Sequence, residues 1–152
     1  MKNPRHILIT GASSGIGSAL ARHYARPGIT LHLGGRNEER LKEVAAACWN
    51  KGATAHATIV DVTDALAMER WLQSADSQSP LELVIANAGI SAGTGEHGET
   101  AKQVRRLFAT NIDGVINTIQ PILAPMAARG RGQVAIVSSL AGIRGLPSCP
   151  SY

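Results

Sequence analysis

Thr10-Gly11-Ala12-Ser13-Ser14-Gly15-Ile16-Gly17 is the first stretch of this 152-residue chain whose residue types and spacing suggest chemistry. A dinucleotide diphosphate needs a tight turn, a backbone that comes close to the phosphates, and a helix start that aims free N–H groups at the anion. Gly11 can make the turn, Gly15 allows the approach, and Gly17 lets the helix pack on the strand, with Ser13, Ser14 and Ile16 completing the loop. The spacing is GxxxGxG, and no lysine follows as a triphosphate-binding loop requires. Without further context the same residues read equally as an ordinary strand-to-helix turn. Gly34-Gly35-Arg36 is a second clue. A carboxylate there would hold ribose hydroxyls and repel a 2′-phosphate. Instead Arg36 offers a planar fork that suits a phosphate, which favours NADP over NAD. The plainer reading of Arg36 is a solvated residue paired with Glu38 or Glu39.

The elements that must position these residues alternate in period. His6–Thr10 and Thr30–Gly35 read as strands, followed by strands over 54–60, 81–86 and 133–138. Helical spacing appears over 15–26, where Ile16, Leu20 and Tyr24 share a face, and Pro27-Gly28 stops it. Asn37 is an N-cap, with Glu38 and Glu39 in the first turn, for a helix whose Leu41, Val44, Ala45 and Cys48 repeat at i, i+3, i+4, i+7. A third helix is expected over 64–75, showing Leu66, Met68, Trp71 and Leu72. After a glycine-rich loop at 91–99 come helical stretches over 100–110 and 112–129. The second contains Pro121 and Pro125, where kinks or a break are expected. The order implies a doubly wound α/β fold of Rossmann type, a parallel sheet with helices on both faces, spanning 1–152 as one domain.

Composition excludes several classes. Hydrophobic residues make up 44% and charged residues 17%, as in globular chains rather than disordered ones. No apolar run is long enough for a membrane helix, and no cleavable leader precedes the first strand, so the expected location is cytoplasmic. The net charge of +4 is dispersed and Phe108 is the only phenylalanine, which argues against a nucleic-acid surface. Cys48 and Cys149 read as free thiols, and His6, His23, His32, His56 and His97 have no ligand spacing, so no metal is expected.

Further short motifs follow in order. Asp61-Val62 lies past the third strand, Asn87-Ala88-Gly89 past the fourth, Asn111 between the late helical stretches, and Ser138-Ser139 at the end of the fifth strand, with Tyr152 13 residues beyond Ser139. Together with TGASSGIG this series resembles the short-chain dehydrogenase/reductase family over the whole chain. The resemblance implies an NAD(P)-dependent oxidoreductase that transfers a hydride between NADP(H) and a carbonyl or alcohol substrate. It places Asp61 and Val62 at the adenine ring and Asn87, Ala88 and Gly89 beside the cofactor. It makes Tyr152 the acid/base, Ser139 the donor to the substrate oxygen and Asn111 a water-relay residue. Without the family, Ser139 would be a strand-end serine and Asn111 a helix cap.

A tyrosine titrates near pH 10 unperturbed and needs help to exchange protons at neutrality. In the family a lysine four residues after the tyrosine gives that help, and this sequence stops at Tyr152. The expectation is therefore that the parent protein, a homodimer or homotetramer, is the enzyme, while the 152 residues alone turn over little and leave the fifth strand as an open edge. The alternative is a non-catalytic dinucleotide-binding module. Steroid, sugar, polyol and acyl substrates are all compatible with the residues present.

Overall fold

Five short β-branched or aliphatic runs pair into one parallel sheet in the order β3-β2-β1-β4-β5, with β1 (His6–Thr10) at its centre. The computed structural model describes residues 3–91, 98–145 and 150–152; His97, Cys149 and most of the 91–99 loop lie outside the described residues. The other strands are β2 (Thr30–Gly35), β3 (Thr54–Ile59), β4 (Leu83–Ala86) and β5 (Gln133–Ile136). The helices are α1 (Gly15–Tyr24), α2 (Glu38–Trp49), α3 (Ala65–Gln78), α4 (Ala101–Phe108) and α5 (Gly114–Ala128), with a π-helical turn over Ala109–Asp113. This is the Rossmann-type α/β arrangement read from the sequence.

Alternation along each strand divides the apolar residues between two cores. Ile7, Ile9, Leu31, Leu33 and Ile85 face α1 and α2, where Leu41, Val44, Ala45 and Cys48 of α2 are all buried. Leu8 and Val84 face α3 and α5, packed with Met68, Leu72, Ile122 and Met126. β1 and β4 are thus covered on both sides, which explains their nearly unbroken apolar sequence.

Several local expectations need correction. α1 buries Gly17 and Ala21, with Leu20 and Tyr24 partly covered, whereas Ile16 turns outward. Leu66 is exposed, and α3 runs on to Gln78 because no breaker intervenes before Pro80. α5 passes through Pro121 and Pro125 without interruption. The irregularity expected at the prolines falls instead at Ala109–Asp113, so Asn111 sits inside a π turn and does not cap a helix.

On the α3 side of the sheet, β2 and β3 set His32 directly beside His56, with rings stacked 5.2 Å apart. His32 is 3% exposed, and its Nε2 has no partner among the described residues. Burial, with the neighbouring His56 and His6, pushes the His32 imidazole down to about 4. An unfolded histidine titrates near 6.5. Between these values the unfolded chain binds a proton that the folded chain refuses, so stability is complete above about pH 6.5 and falls as the pH drops toward 4. The expected loss is about 3 kcal/mol across that window. Urea unfolding at pH 7.5 and 4.5 should show it, and His32→Leu should flatten the slope; equal slopes in both proteins would overturn the assignment.

Candidate functional site

The chain leaves β1 toward β2 on one side and β4 toward β5 on the other, so a crevice opens between the carboxyl ends of β1 and β4. Thr10, the last residue of β1, governs that opening. Its Oγ1 accepts from the backbone N–H groups of Asn87 and Ala88, both at 3.1 Å, and donates to the Ile85 carbonyl at 3.4 Å. Asn87 returns the contact, donating from Nδ2 to the carbonyls of Thr10 at 3.0 Å and Gly11 at 3.4 Å. The glycine turn is therefore clamped onto the end of β4.

Two glycines in this clamp have no substitute. Gly11 has φ +66°, and a Cβ there would lie 2.8 Å from the Ala88 Cα. A Cβ on Gly17 would lie 2.3 Å from the Gly11 carbonyl oxygen, so any side chain would push α1 off the strand. Ser14 enters α1 in extended conformation, and its side chain makes no capping bond. Among the described residues the N–H groups of the first helical turn thus have no side-chain acceptor, and they lie beside the open space next to Gly15. Such a rim of unpaired donors at a positive helix end suits an anion.

The other walls come from the ends of β2 and β3. Arg36 Nη1 lies 3.5 Å from Asp61 Oδ2, which replaces the pairing with Glu38 or Glu39; Glu38 pairs with Lys42 at 2.6 Å. Asp61 Oδ1 accepts from the Thr63 N–H at 3.0 Å and the Thr63 hydroxyl at 2.9 Å. Burial alone would raise the Asp61 carboxyl, but the Thr63 bonds and the Arg36 charge outweigh it and hold it below the usual range. Val62 is buried against Gly114, and its carbonyl accepts from Asn117 Nδ2 at 2.9 Å, which pins the end of β3 to α5.

The π turn aims Asn111 at the segment that follows β4. Its Oδ1 accepts from the Ile90 N–H at 2.8 Å and its Nδ2 donates to the Ile90 carbonyl at 2.9 Å, with Gly89 close beside it. The side chain is thereby held in one orientation. Ser139 caps a short 3-10 turn, Leu140–Gly142, where its Oγ accepts from the Ala141 N–H at 3.2 Å and keeps its own proton for donation. Tyr152 is half-buried, and the preceding Ser151 N–H donates to Glu99 at 3.0 Å.

These residues converge. Gly11, Ser13, Ser14, Gly15, Ile16, Arg36, Asp61, Val62, Asn87, Ala88, Gly89, Asn111, Ser139 and Tyr152 line a single cleft of about 1170 Å³, and Gly17 is buried behind the turn. Sequence reasoning missed Thr10, whose role depends on a partner 77 residues away, and Arg40, which also lines the cleft. Among the described residues no group of three or more His, Cys, Asp and Glu could hold a metal ion, and no helix is long and apolar enough to cross a membrane.

Comparison with known proteins agrees with this geometry. Residues 5–152 match the family model described as short chain dehydrogenase. An uncharacterized oxidoreductase of Myxococcus xanthus is 36% identical over 149 residues, covering 97% of this chain and 59% of the relative. The alcohol dehydrogenase of the archaeon Thermococcus sibiricus, solved with 5-hydroxy-NADP, superposes with a TM-score of 0.88 at 28% identity, over 97% of this chain and 63% of that one. A short chain dehydrogenase/reductase from Burkholderia phymatum, solved with NAD, gives 0.90 at 25% identity, over 97% and 53%. The chain thus spans a little over half the length of these proteins.

The clamp makes a direct prediction. Thr10→Val removes the acceptor of two N–H groups while keeping the shape, and should cost about 2 kcal/mol. Urea unfolding of the two proteins measures it; a change below about 0.5 kcal/mol would show that Asn87 holds the turn without Thr10.

Proposed function

The chain belongs to the short-chain dehydrogenase family, and on that footing we propose that its cleft binds a nicotinamide dinucleotide, NADP in preference to NAD, for hydride transfer to or from a carbonyl or alcohol. The observation that carries the reading is the convergence of an anion-binding turn, Arg36, Ser139, Asn111 and Tyr152 on one cleft. The residues fit the group. Gly11 and Gly17 leave no room for side chains at the turn, and the start of α1 has no side-chain cap of its own. The relatives solved with NAD and with an NADP derivative support a dinucleotide here, and Arg36 supports the 2′-phosphorylated one.

In this reading the N–H groups at the start of α1 hold the diphosphate, and Asp61 and Val62 border the adenosine end. When bound, the nicotinamide supplies or accepts the hydride. Ser139 donates its hydroxyl proton to the substrate oxygen and orients it. Tyr152 gives a proton to the developing alkoxide in reduction and removes it from the alcohol in oxidation. Asn111, fixed by its two bonds to Ile90 and lining the same cleft, holds the relay water of this reading. The substrate oxygen thus meets two hydroxyl donors, while the carboxylate of Asp61 stays at the adenosine end.

Fluorescence titration of the chain with NADPH should saturate, and Arg36→Ala should weaken NADPH binding by about tenfold or more while sparing NADH. Equal affinity of the unaltered chain for both nucleotides would overturn the NADP assignment. In a polypeptide as long as the relatives, Tyr152→Phe should lower kcat for ketone reduction by about 10²- to 10⁴-fold at unchanged NADPH affinity. Retained kcat would remove Tyr152 from the chemistry.

A further inference from the structure

Arg36 does not face the cleft as an uncompensated cation. Its guanidinium lies 3.5 Å from Asp61, whose carboxyl is held ionised by two bonds from Thr63. The pair is close to neutral, whereas a phosphate monoester carries between one and two negative charges near pH 7. Arg36 alone would leave such a group facing a carboxylate with no net positive charge beside it. Ser14, which also lines the cleft, contributes no charge.

One other cation borders the same cleft. Among the described residues that line it, only Arg36 and Arg40 are basic. Arg40 is exposed and makes no side-chain ion pair or hydrogen bond among the described residues. Its backbone is fixed, because its N–H donates to the Asn37 Oδ1 at 2.9 Å in the capping bond of α2. It therefore sits one helical turn beyond Arg36, on the first turn of α2. A cation in a helix's first turn opposes the macrodipole, so local helix energetics do not explain an arginine here. A ligand anion would, since local rules tend to be broken where a site needs it.

We propose that Arg40 is the second cation for the ribose 2′-phosphate, and that this arginine, added to the Arg36–Asp61 pair, sets the preference for NADP. The inference rests on the NADP reading above. With both arginines the subsite carries one net positive charge against Asp61. Without Arg40 it is neutral, and the two dinucleotides should bind alike.

The test is a fluorescence titration of the chain with NADPH and NADH, comparing the unaltered protein with Arg40→Gln, Arg40→Lys and Arg36→Ala. Arg40→Gln should raise the Kd for NADPH about tenfold or more, leave that for NADH within about twofold, and be partly rescued by Arg40→Lys. Because Arg40 is exposed, the thermal midpoint without ligand should not move. If the unaltered chain prefers NADPH and Arg36→Ala abolishes the preference while Arg40→Gln preserves it, Arg40 is excluded and the NADP reading stands. Equal weakening of both nucleotides by Arg40→Gln also overturns the proposal. If the unaltered chain shows no preference, both fall together.

Discussion

The reciprocal bonding of Thr10 and Asn87 is the constraint on which the site depends. Each strand of a parallel sheet ends with backbone groups that the ladder no longer pairs, and here one hydroxyl and one amide satisfy those of β1 and β4 at once. Because Thr10 is 1% exposed, its bonds are made without competition from water, where loss of an acceptor is most costly. The clamp brings the glycine turn against Ala88 closely enough that Gly11 and Gly17 admit no side chain. The start of α1, the segment after β4, and through Asn111 the π turn are then all referred to one point.

Polar groups are distributed unevenly over the sheet. At the carboxyl ends of the strands they are satisfied by specific partners, such as Thr63 for Asp61 and Ile90 for Asn111. Beneath α3, the buried nitrogen of His32 has no such partner among the described residues. The first arrangement builds a cleft in which charge is held in fixed positions. The second keeps an imidazole neutral and ties the fold's stability to mild acid.

Much of this was legible from local pattern. β1, β2 and the buried face of α2 follow directly from alternation and from the Asn37 cap, because strand period and helix period are local properties. The cleft's lining was legible through short motifs at strand ends, where a parallel sheet must put its ligands. What escaped depends on distant partners. Arg36 pairs with Asp61 and not with its neighbours in sequence, since β2 and β3 end side by side. Ile16 interrupts the expected apolar face of α1 because the cleft, and not the core, lies beneath it. The two prolines of α5 suggested a break by propensity, yet packing of Thr118, Ile122 and Met126 holds that helix continuous.

The π turn at Ala109–Asp113 carries a consequence for how this segment can change. A π turn accommodates more residues per revolution than the α-helix on either side of it. Removing one residue there would let α4 and α5 fuse into a regular helix, with the residues downstream kept close to their present phase. Thr118, Ile122 and Met126 would then stay in the core, whereas Asn111, which sits inside the irregular turn, would lose its bonds to Ile90. The segment can therefore change its length by this one residue with little disturbance of the core, but only by giving up the asparagine's place in the site. An alignment that closes the irregularity with a gap would shift the asparagine off its mark by one position.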